Sequence, residues 1–111
     1  MNQRRVVITG LGQISPVGND VETAWQNLLA GKSGIGRITK FDASDVSCQI
    51  AGEVKDFDIS QYLPAKEARR MDAFIHYGIA AALQAVADAG LDDYAALDKT
   101  RGGGNIGFGI G

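Results

Sequence analysis

Residues 64–90, PAKEARRMDAFIHYGIAAALQAVADAG, decide the fold. Pro64 sits where a helix can begin, and after it only Gly78 weakens a helical pattern. Apolar residues recur along one face: Met71, Ile75, Ile79, Ala82, Leu83 and Val86. The stretch therefore predicts one long helix over residues 65–89, ended by Gly90, and its small, apolar middle predicts burial between layers.

A strand pattern and a second helix pattern precede this stretch. Residues 6–8, Val-Val-Ile, are β-branched and lie just before Gly10, which is typical of a strand buried on both faces. Asn19, with Glu22 three residues later, predicts the N-cap of a helix that ends at Gly31. The apolar face of this helix consists of Val21, Ala24, Trp25, Leu28 and Leu29.

The remaining segments are short and broken. Residues 32–58 predict an irregular excursion with strand-like pieces at 50–51 and 53–54. A helical turn is predicted near residues 95–97, and the glycine-rich end, 102–111, predicts a final strand. The order strand, helix, excursion, long helix, strand predicts an α/β layered fold with parallel pairing.

Composition excludes several classes of function. A net charge of −2 over 111 residues argues against a chain that coats nucleic acid or an anionic membrane. Cys48 is the only cysteine, so an internal disulfide is impossible, and we expect a cytoplasmic location. No apolar run approaches the roughly 20 residues of a membrane span, which predicts a soluble protein.

Two glycine patterns suggest a phosphate loop but lack its context. Residues 102–107, GGGNIG, match G-x-G-x-x-G, and residues 10–12, GLG, begin a similar pattern. A dinucleotide site needs a helix that opens at the glycines, and neither pattern predicts one. We therefore expect no cofactor. For Cys48 and His76, the only thiol and the only imidazole, structural roles are favoured, and no cluster has metal-ligand spacing.

Lys66, Arg69 and Arg70 are spaced i, i+3 and i+4 in the first turns of the predicted long helix. There, cations oppose the helix dipole and cost about 0.3–1 kcal/mol each. Their charge alone leaves two interpretations open: a solvated face helped by Glu67, or a binding site.

Many residues at fixed offsets carry a resemblance to a known family. They are RRVVITGLG at 4–12, SPVGN at 15–19, Trp25, LAGKSGI at 29–35, FD at 41–42, RMDAF at 70–74 and YG at 77–78. The chain resembles, from Arg4 to Gly111, the N-terminal portion of β-ketoacyl-acyl carrier protein synthases, most of all the bacterial KAS II type.

The resemblance implies a thiolase-like αβαβα fold, with residues 1–111 as the N-terminal part of the family's N-terminal domain, a single incomplete domain. It implies a homodimer and an acyltransferase that elongates fatty acids by decarboxylative condensation with malonyl-acyl carrier protein. The family's catalytic cysteine and histidines lie downstream, and Cys48 and His76 do not match them. The isolated chain is therefore expected to be inactive.

The resemblance also implies site residues. Lys66, Arg69 and Arg70 match the basic patch that docks acyl carrier protein, and Ile110 matches an apolar residue that lines the acyl pocket. The chain departs from the family pattern at Gly102, Gly104 and Phe108. A noncatalytic relative, such as a chain-length factor, and an isolated carrier-docking module remain as alternatives.

Overall fold

A computed structural model describes residues 3–91 and 97–109, and these residues contain three α-helices and one two-stranded sheet. The elements are α1 (Val21–Leu29), β1 (Ile35–Arg37), β2 (Ile50–Gly52), α2 (Ala65–Ala68) and α3 (Ala73–Asp88), with short 3-10 helices at Ile59–Gln61 and Lys99–Arg101. Helices and strands are thus mixed, as the α/β expectation requires.

Helix α1 begins one residue later than predicted. The Asp20 carboxylate, rather than Asn19, accepts from the Thr23 backbone N–H at 2.7 Å and from the Thr23 hydroxyl at 3.0 Å. The Asn19 side chain instead donates to the Lys55 carbonyl at 2.8 Å. The predicted end is confirmed, because Gly31 adopts φ +71°, a conformation that glycine reaches without Cβ strain.

The predicted long helix is wrong: it is divided into α2 and α3. Asp72 adopts an extended conformation, φ −78° and ψ 166°, and its carboxylate accepts from the Ala73 N–H at 2.8 Å. Aspartate is a preferred N-cap, so a new helix starts there although the apolar spacing continues across the break. The end at Gly90 is confirmed by its φ of +71°.

The segment at residues 32–58, which was predicted to be irregular, contains the sheet. Strands β1 and β2 are antiparallel, with Ile35 opposite Gly52. The strand-like piece at 50–51 lies within β2, whereas 53–54 is not a strand. The Glu53 carboxylate accepts from the Thr39 N–H and hydroxyl at 3.1 and 2.9 Å, and the Thr39 backbone bond holds the pKa of Glu53 below its usual value.

The prediction of a strand at each end of the chain is wrong, because neither strand forms within residues 3–91 and 97–109. Residues 6–8 form no strand there, and Val6 and Ile8 are 93% and 81% exposed. Residues 102–109 are likewise exposed and irregular. A strand needs a neighbour for its N–H and C=O groups. In the described part, both the β1–β2 pair and the isolated bridge between Ser15 and Gly18 are antiparallel, so the predicted parallel pairing is absent there.

Residues 10–12 run across α3, and we name them the first glycine segment. A Cβ on Gly12 would overlap the Ala81 carbonyl of α3, so only glycine permits this approach. The Leu11 N–H donates to the Asp88 carboxylate at 3.0 Å. The segment therefore packs on the helix through its backbone.

Gln84 of α3 joins three parts of the chain. Its Oε1 accepts from the Gln13 N–H at 3.0 Å, while its Nε2 donates to the Asn19 carbonyl at 2.7 Å and to the Tyr62 hydroxyl at 2.9 Å. This partly buried amide connects the N-terminal segment, the start of α1 and the region before α2.

The buried core consists of small side chains: Ala24, Ala43, Ala68 and Ala80. The middle of α3 was predicted to be buried, and Ala80 is fully so, but Leu83 is 43% exposed. Large apolar side chains of α1 are also exposed, with Trp25 at 57%. Among the described helices, none combines the length and apolarity needed to cross a membrane.

Candidate functional site

Three exposed cations lie on and just after α2, and we name Lys66, Arg69 and Arg70 the basic patch. The Arg69 N–H donates to the Ala65 carbonyl at 3.1 Å, and the Arg70 N–H donates to the Glu67 carbonyl at 3.1 Å. These bonds continue the helical turn through Arg70, so the three cations stay close along one turn of backbone.

The basic patch does not lie where the sequence predicted. Lys66 is in the last turn of α2 and Arg69 is its C-cap, because the helix ends after Ala68. Cations near a helix C-terminus complement the dipole, so the predicted electrostatic cost does not apply to α2. The patch is a local basic surface on a chain of net charge −2, and it can attract an acidic partner.

Residues 69–72, which we name the elbow, join α2 to α3 and fix the end of α2. The Ala68 carbonyl accepts from the Met71 N–H at 3.2 Å and contacts the His76 Nε2 at 2.8 Å. Ala68 is 7% exposed and lies at the inside of this turn. His76 therefore has a structural contact, as the sequence favoured, and it belongs to α3 rather than to the basic patch.

Aromatic rings support the elbow from the preceding segment. Phe57 stacks on Tyr62 with centroids 6.1 Å apart and meets Tyr77 of α3 edge-on at 5.4 Å. Asp58 lies between Phe57 and Tyr62 in the sequence. It caps the short 3-10 helix by accepting from the Ser60 hydroxyl at 2.6 Å and from the Ser60 N–H at 2.9 Å.

The Ser60 hydroxyl bond, followed by its backbone bond, holds the pKa of Asp58 below its usual value. A carboxylate with a lowered folded pKa stabilises the fold above its unfolded pKa, and this contribution is lost as the pH falls through the folded value.

The other candidate residues do not form a site. Cys48 is exposed, and its Sγ contacts the Ile50 carbonyl at 3.5 Å, whereas His76 contacts Ala68. No helix begins at either glycine pattern in the described part of the chain. Nor do residues 3–91 and 97–109 hold a group of three His, Cys, Asp or Glu side chains that could bind a metal ion.

Ile110, the predicted acyl-pocket residue, lies outside the described residues, as does most of the turn predicted near 95–97. Just before it, Phe108 is 73% exposed and stacks on Phe74 of α3, with centroids 5.7 Å apart and planes at 20°. This ring contact ties the glycine-rich end to the first turn of α3.

A wide cleft of about 790 Å³ opens beside the C-terminal end of α3. Val86, Leu91 and Leu97 form its apolar wall, with Lys99 and Arg101 among its polar lining residues. The cleft shares no residue with the basic patch, so the two are separate surfaces.

Sequence reasoning missed three features: the break at Asp72, the contact from His76 to Ala68, and the Gln84 bonds. Only the first had a local signal, because Asp72 precedes a run of helix formers and is a favoured N-cap. The other two had none, because His76 contacts a backbone carbonyl and Gln84 bonds residues that are distant in the sequence.

Comparison with known proteins gives a family match. The family described as "Beta-ketoacyl synthase, N-terminal domain" matches residues 3–111. The 3-oxoacyl-[acyl-carrier-protein] synthase 2 of Vibrio harveyi is 53% identical over 111 residues, which are 100% of this chain and 26% of that protein. The protein of the same name from Synechocystis sp. is 54% identical over 91 residues, 82% of this chain and 22% of that one.

A solved structure has a similar fold. "The ishigamide ketosynthase/chain length factor" matches with a TM-score of 0.73 and 40% identity, over 84% of this chain and 23% of that one. The chain thus spans about a quarter of the length of the proteins that it matches.

Proposed function

Because the chain belongs to the β-ketoacyl synthase family, we propose that the whole protein is a 3-oxoacyl-acyl carrier protein synthase, an acyltransferase of fatty-acid elongation. The observation that carries this proposal is 53% identity over all 111 residues to a synthase of that name. Similarity along the full chain supports a shared fold and a shared reaction more strongly than a single motif does.

In the proposed reaction, a cysteine thiolate attacks the thioester of an acyl carrier protein and takes the acyl group, releasing the carrier thiol. Malonyl-carrier protein then loses carbon dioxide, and the resulting carbanion forms a carbon–carbon bond with the acyl carbonyl. The cysteine thiolate leaves, and a 3-oxoacyl-carrier protein is the product. Cys48 and His76 take no part, because one is an exposed loop thiol and the other contacts the Ala68 carbonyl.

The test is condensation by the full-length protein with acyl- and malonyl-carrier protein, followed by mass spectrometry of the carrier-bound product. We expect a product two carbons longer than the acyl substrate, with release of carbon dioxide. The 111-residue chain alone is expected to give none, and turnover by it would contradict the absence of catalytic residues from residues 1–111.

A chain-length factor is the second candidate, favoured by the similarity to a solved ketosynthase/chain length factor. Such a relative lacks the nucleophile. Incubation of the full-length protein with acyl-carrier protein alone separates the two functions, because a synthase accumulates an acyl-enzyme thioester and gains the mass of the acyl group. An unchanged protein mass would favour the chain-length factor.

We propose that the basic patch docks the acyl carrier protein. The exposure of Lys66, Arg69 and Arg70 on an otherwise acidic chain supports this, since opposite charge on a partner raises the rate of encounter. An isolated module that only binds the carrier would use the same surface.

Reversing two charges tests the docking role. Arg69→Glu with Arg70→Glu is expected to weaken carrier binding at low salt by about tenfold or more, and the loss should shrink as salt rises. The matched control is Arg37→Glu with Lys40→Glu, which changes the net charge equally at exposed positions near β1. Equal weakening by both pairs would contradict a local docking site.

We propose that Ile110 lines the acyl pocket. A larger side chain there should exclude long acyl chains, so Ile110→Phe should shift the products of the full-length enzyme to shorter chains. Ile110→Ala, the matched variant, should not shorten them. A product distribution that is the same in both variants would contradict a pocket-lining role.

We further propose that residues 1–111 are part of one thiolase-like αβαβα domain in a cytoplasmic homodimer. The exposed apolar residues Val6, Ile8 and Trp25 support additional covering layers, since a large apolar surface in water is unfavourable. The single cysteine supports a reducing compartment. Light scattering of the full-length protein tests the dimer, and a monomeric mass would contradict it.

A further inference from the structure

His76 contacts the last residue of the helix that presents the basic patch. Its Nε2 lies 2.8 Å from the Ala68 carbonyl oxygen, eight residues earlier in the chain. A carbonyl oxygen can only accept, so the Nε2 must carry the proton and donate. Both residues are at least partly buried, with Ala68 7% exposed, so water competes poorly for this bond.

Helix α2 needs such support because it has only four residues. A helix this short does not hold itself together in water, since a single turn fixes many dihedral angles for few hydrogen bonds. Among residues 3–91 and 97–109, the other group that donates to the Ala68 carbonyl is the Met71 N–H, in a bond within the same turn. His76 thus supplies the bond that ties the end of α2 to the longer helix α3.

We propose that His76 is a positioning residue for carrier docking, which orients Arg69 and Arg70 by fixing the Ala68 carbonyl. Arg69 follows Ala68 directly as the C-cap of α2, and Arg70 is the next residue. The inference rests on the docking role proposed above. His76 touches neither the carrier nor the reacting atoms and acts only through the backbone that carries the two arginines.

Two amides of different length test the role of the Nε2 in the full-length enzyme. In His76→Gln the amide nitrogen can reach the place of the Nε2 and donate to Ala68, whereas in His76→Asn it falls short by one methylene. We expect binding of acyl carrier protein by the Gln variant within about twofold of the unchanged enzyme, and three- to tenfold weaker binding by the Asn variant. The loss should appear in KM for the carrier-bound substrate rather than in kcat.

A double-mutant cycle shows whether the effect passes through the arginines. In the background Arg69→Glu with Arg70→Glu, His76→Asn should weaken binding no further. Equal weakening by His76→Asn in both backgrounds would overturn the inference, as would equal affinities of the Gln and Asn variants. If the arginine reversal itself changes nothing, the docking proposal fails. If only His76→Asn changes nothing, docking stands and the positioning role is overturned.

A spectroscopic measurement checks the bond itself. Nitrogen NMR of labelled histidine in the full-length enzyme should show a proton on the Nε2 of His76, the nitrogen that contacts the Ala68 carbonyl. The same measurement after carrier binding should leave that proton in place. A proton on Nδ1 alone would overturn the inference, because the Nε2 could then not donate to Ala68.

Discussion

Two glycine-rich segments of the chain look alike in sequence and differ in structure. The first glycine segment, residues 10–12, packs on α3, and a Cβ on Gly10 or Gly12 would overlap the carbonyls of Ala85 or Ala81. The second glycine segment, residues 102–109, is exposed throughout. Around several of its glycines, no atom of a described residue other than the chain neighbours lies within 4 Å of an added Cβ: Gly103, Gly104, Gly107 and Gly109.

The comparison teaches that a glycine pattern does not reveal its own purpose. In the first segment the absence of Cβ lets a backbone N–H, that of Leu11, reach the Asp88 carboxylate at 3.0 Å. In the second, the single described ring contact comes from Phe108, which stacks on Phe74. Neither arrangement resembles the start of a helix around a phosphate group.

The largest difference in stability between the two glycine segments should follow from adding one methyl group to a glycine of each. Gly12→Ala should destabilise the full-length protein by about 3 kcal/mol or more, because the Ala81 carbonyl belongs to a helix and cannot move aside alone. The matched change Gly104→Ala should stay within about 0.5 kcal/mol. Urea denaturation measures both, and similar losses at the two positions would break the comparison.

A smaller effect is expected at the Gln84 amide, which holds Gln13, the residue that follows the first segment, to α3. Gln84→Met keeps the length of the side chain but removes its bonds to Gln13, Asn19 and Tyr62, so a loss of about 1–3 kcal/mol is expected. The control Gln26→Met, at an exposed position of α1, should change stability by less than about 0.5 kcal/mol. Thermal unfolding of both variants provides the measurement, and a neutral Gln84→Met would show that the first segment is held by its glycine packing and the Leu11 bond to Asp88 without help from Gln84.

The smallest effect is expected in the second segment. Phe108→Ser removes the ring that stacks on Phe74 and should cost about 0.5–1 kcal/mol, since the residue Phe108 is 73% exposed. Ile106→Ser, also at an exposed position of this segment, should cost less than Phe108→Ser. Chemical denaturation measures the stability of both variants. A loss above about 2 kcal/mol for Phe108→Ser would mean that the second glycine segment is packed more firmly than its exposure implies.

Local signals in the sequence predicted the ends of helices better than their continuity. Gly31 and Gly90 end α1 and α3 as expected, because a left-handed residue after a helix favours glycine wherever the helix lies. The division at Asp72 was not predicted. Apolar spacing reports which face of a segment is buried, but it does not report whether the backbone stays helical, so the pattern continues through the break.

The candidate site was predicted in part. The sequence identified Lys66, Arg69 and Arg70 as a cluster, because their spacing is visible without any structure. It did not reveal that His76 contacts the Ala68 carbonyl, since a backbone acceptor carries no signature in the side-chain sequence. The predicted strand at residues 6–8 failed for a related reason: β-branched residues favour a strand, but a strand exists only beside a partner.

The sequence by itself determined the family, the glycine ends of the helices and the cluster of cations, because each depends on residue types at fixed spacing. Only the tertiary structure decided that the first glycine segment is a packing surface and the second is exposed. The reason is physical: the requirement for glycine at Gly12 is set by the Ala81 carbonyl, an atom 69 residues away in the chain and in contact only after folding.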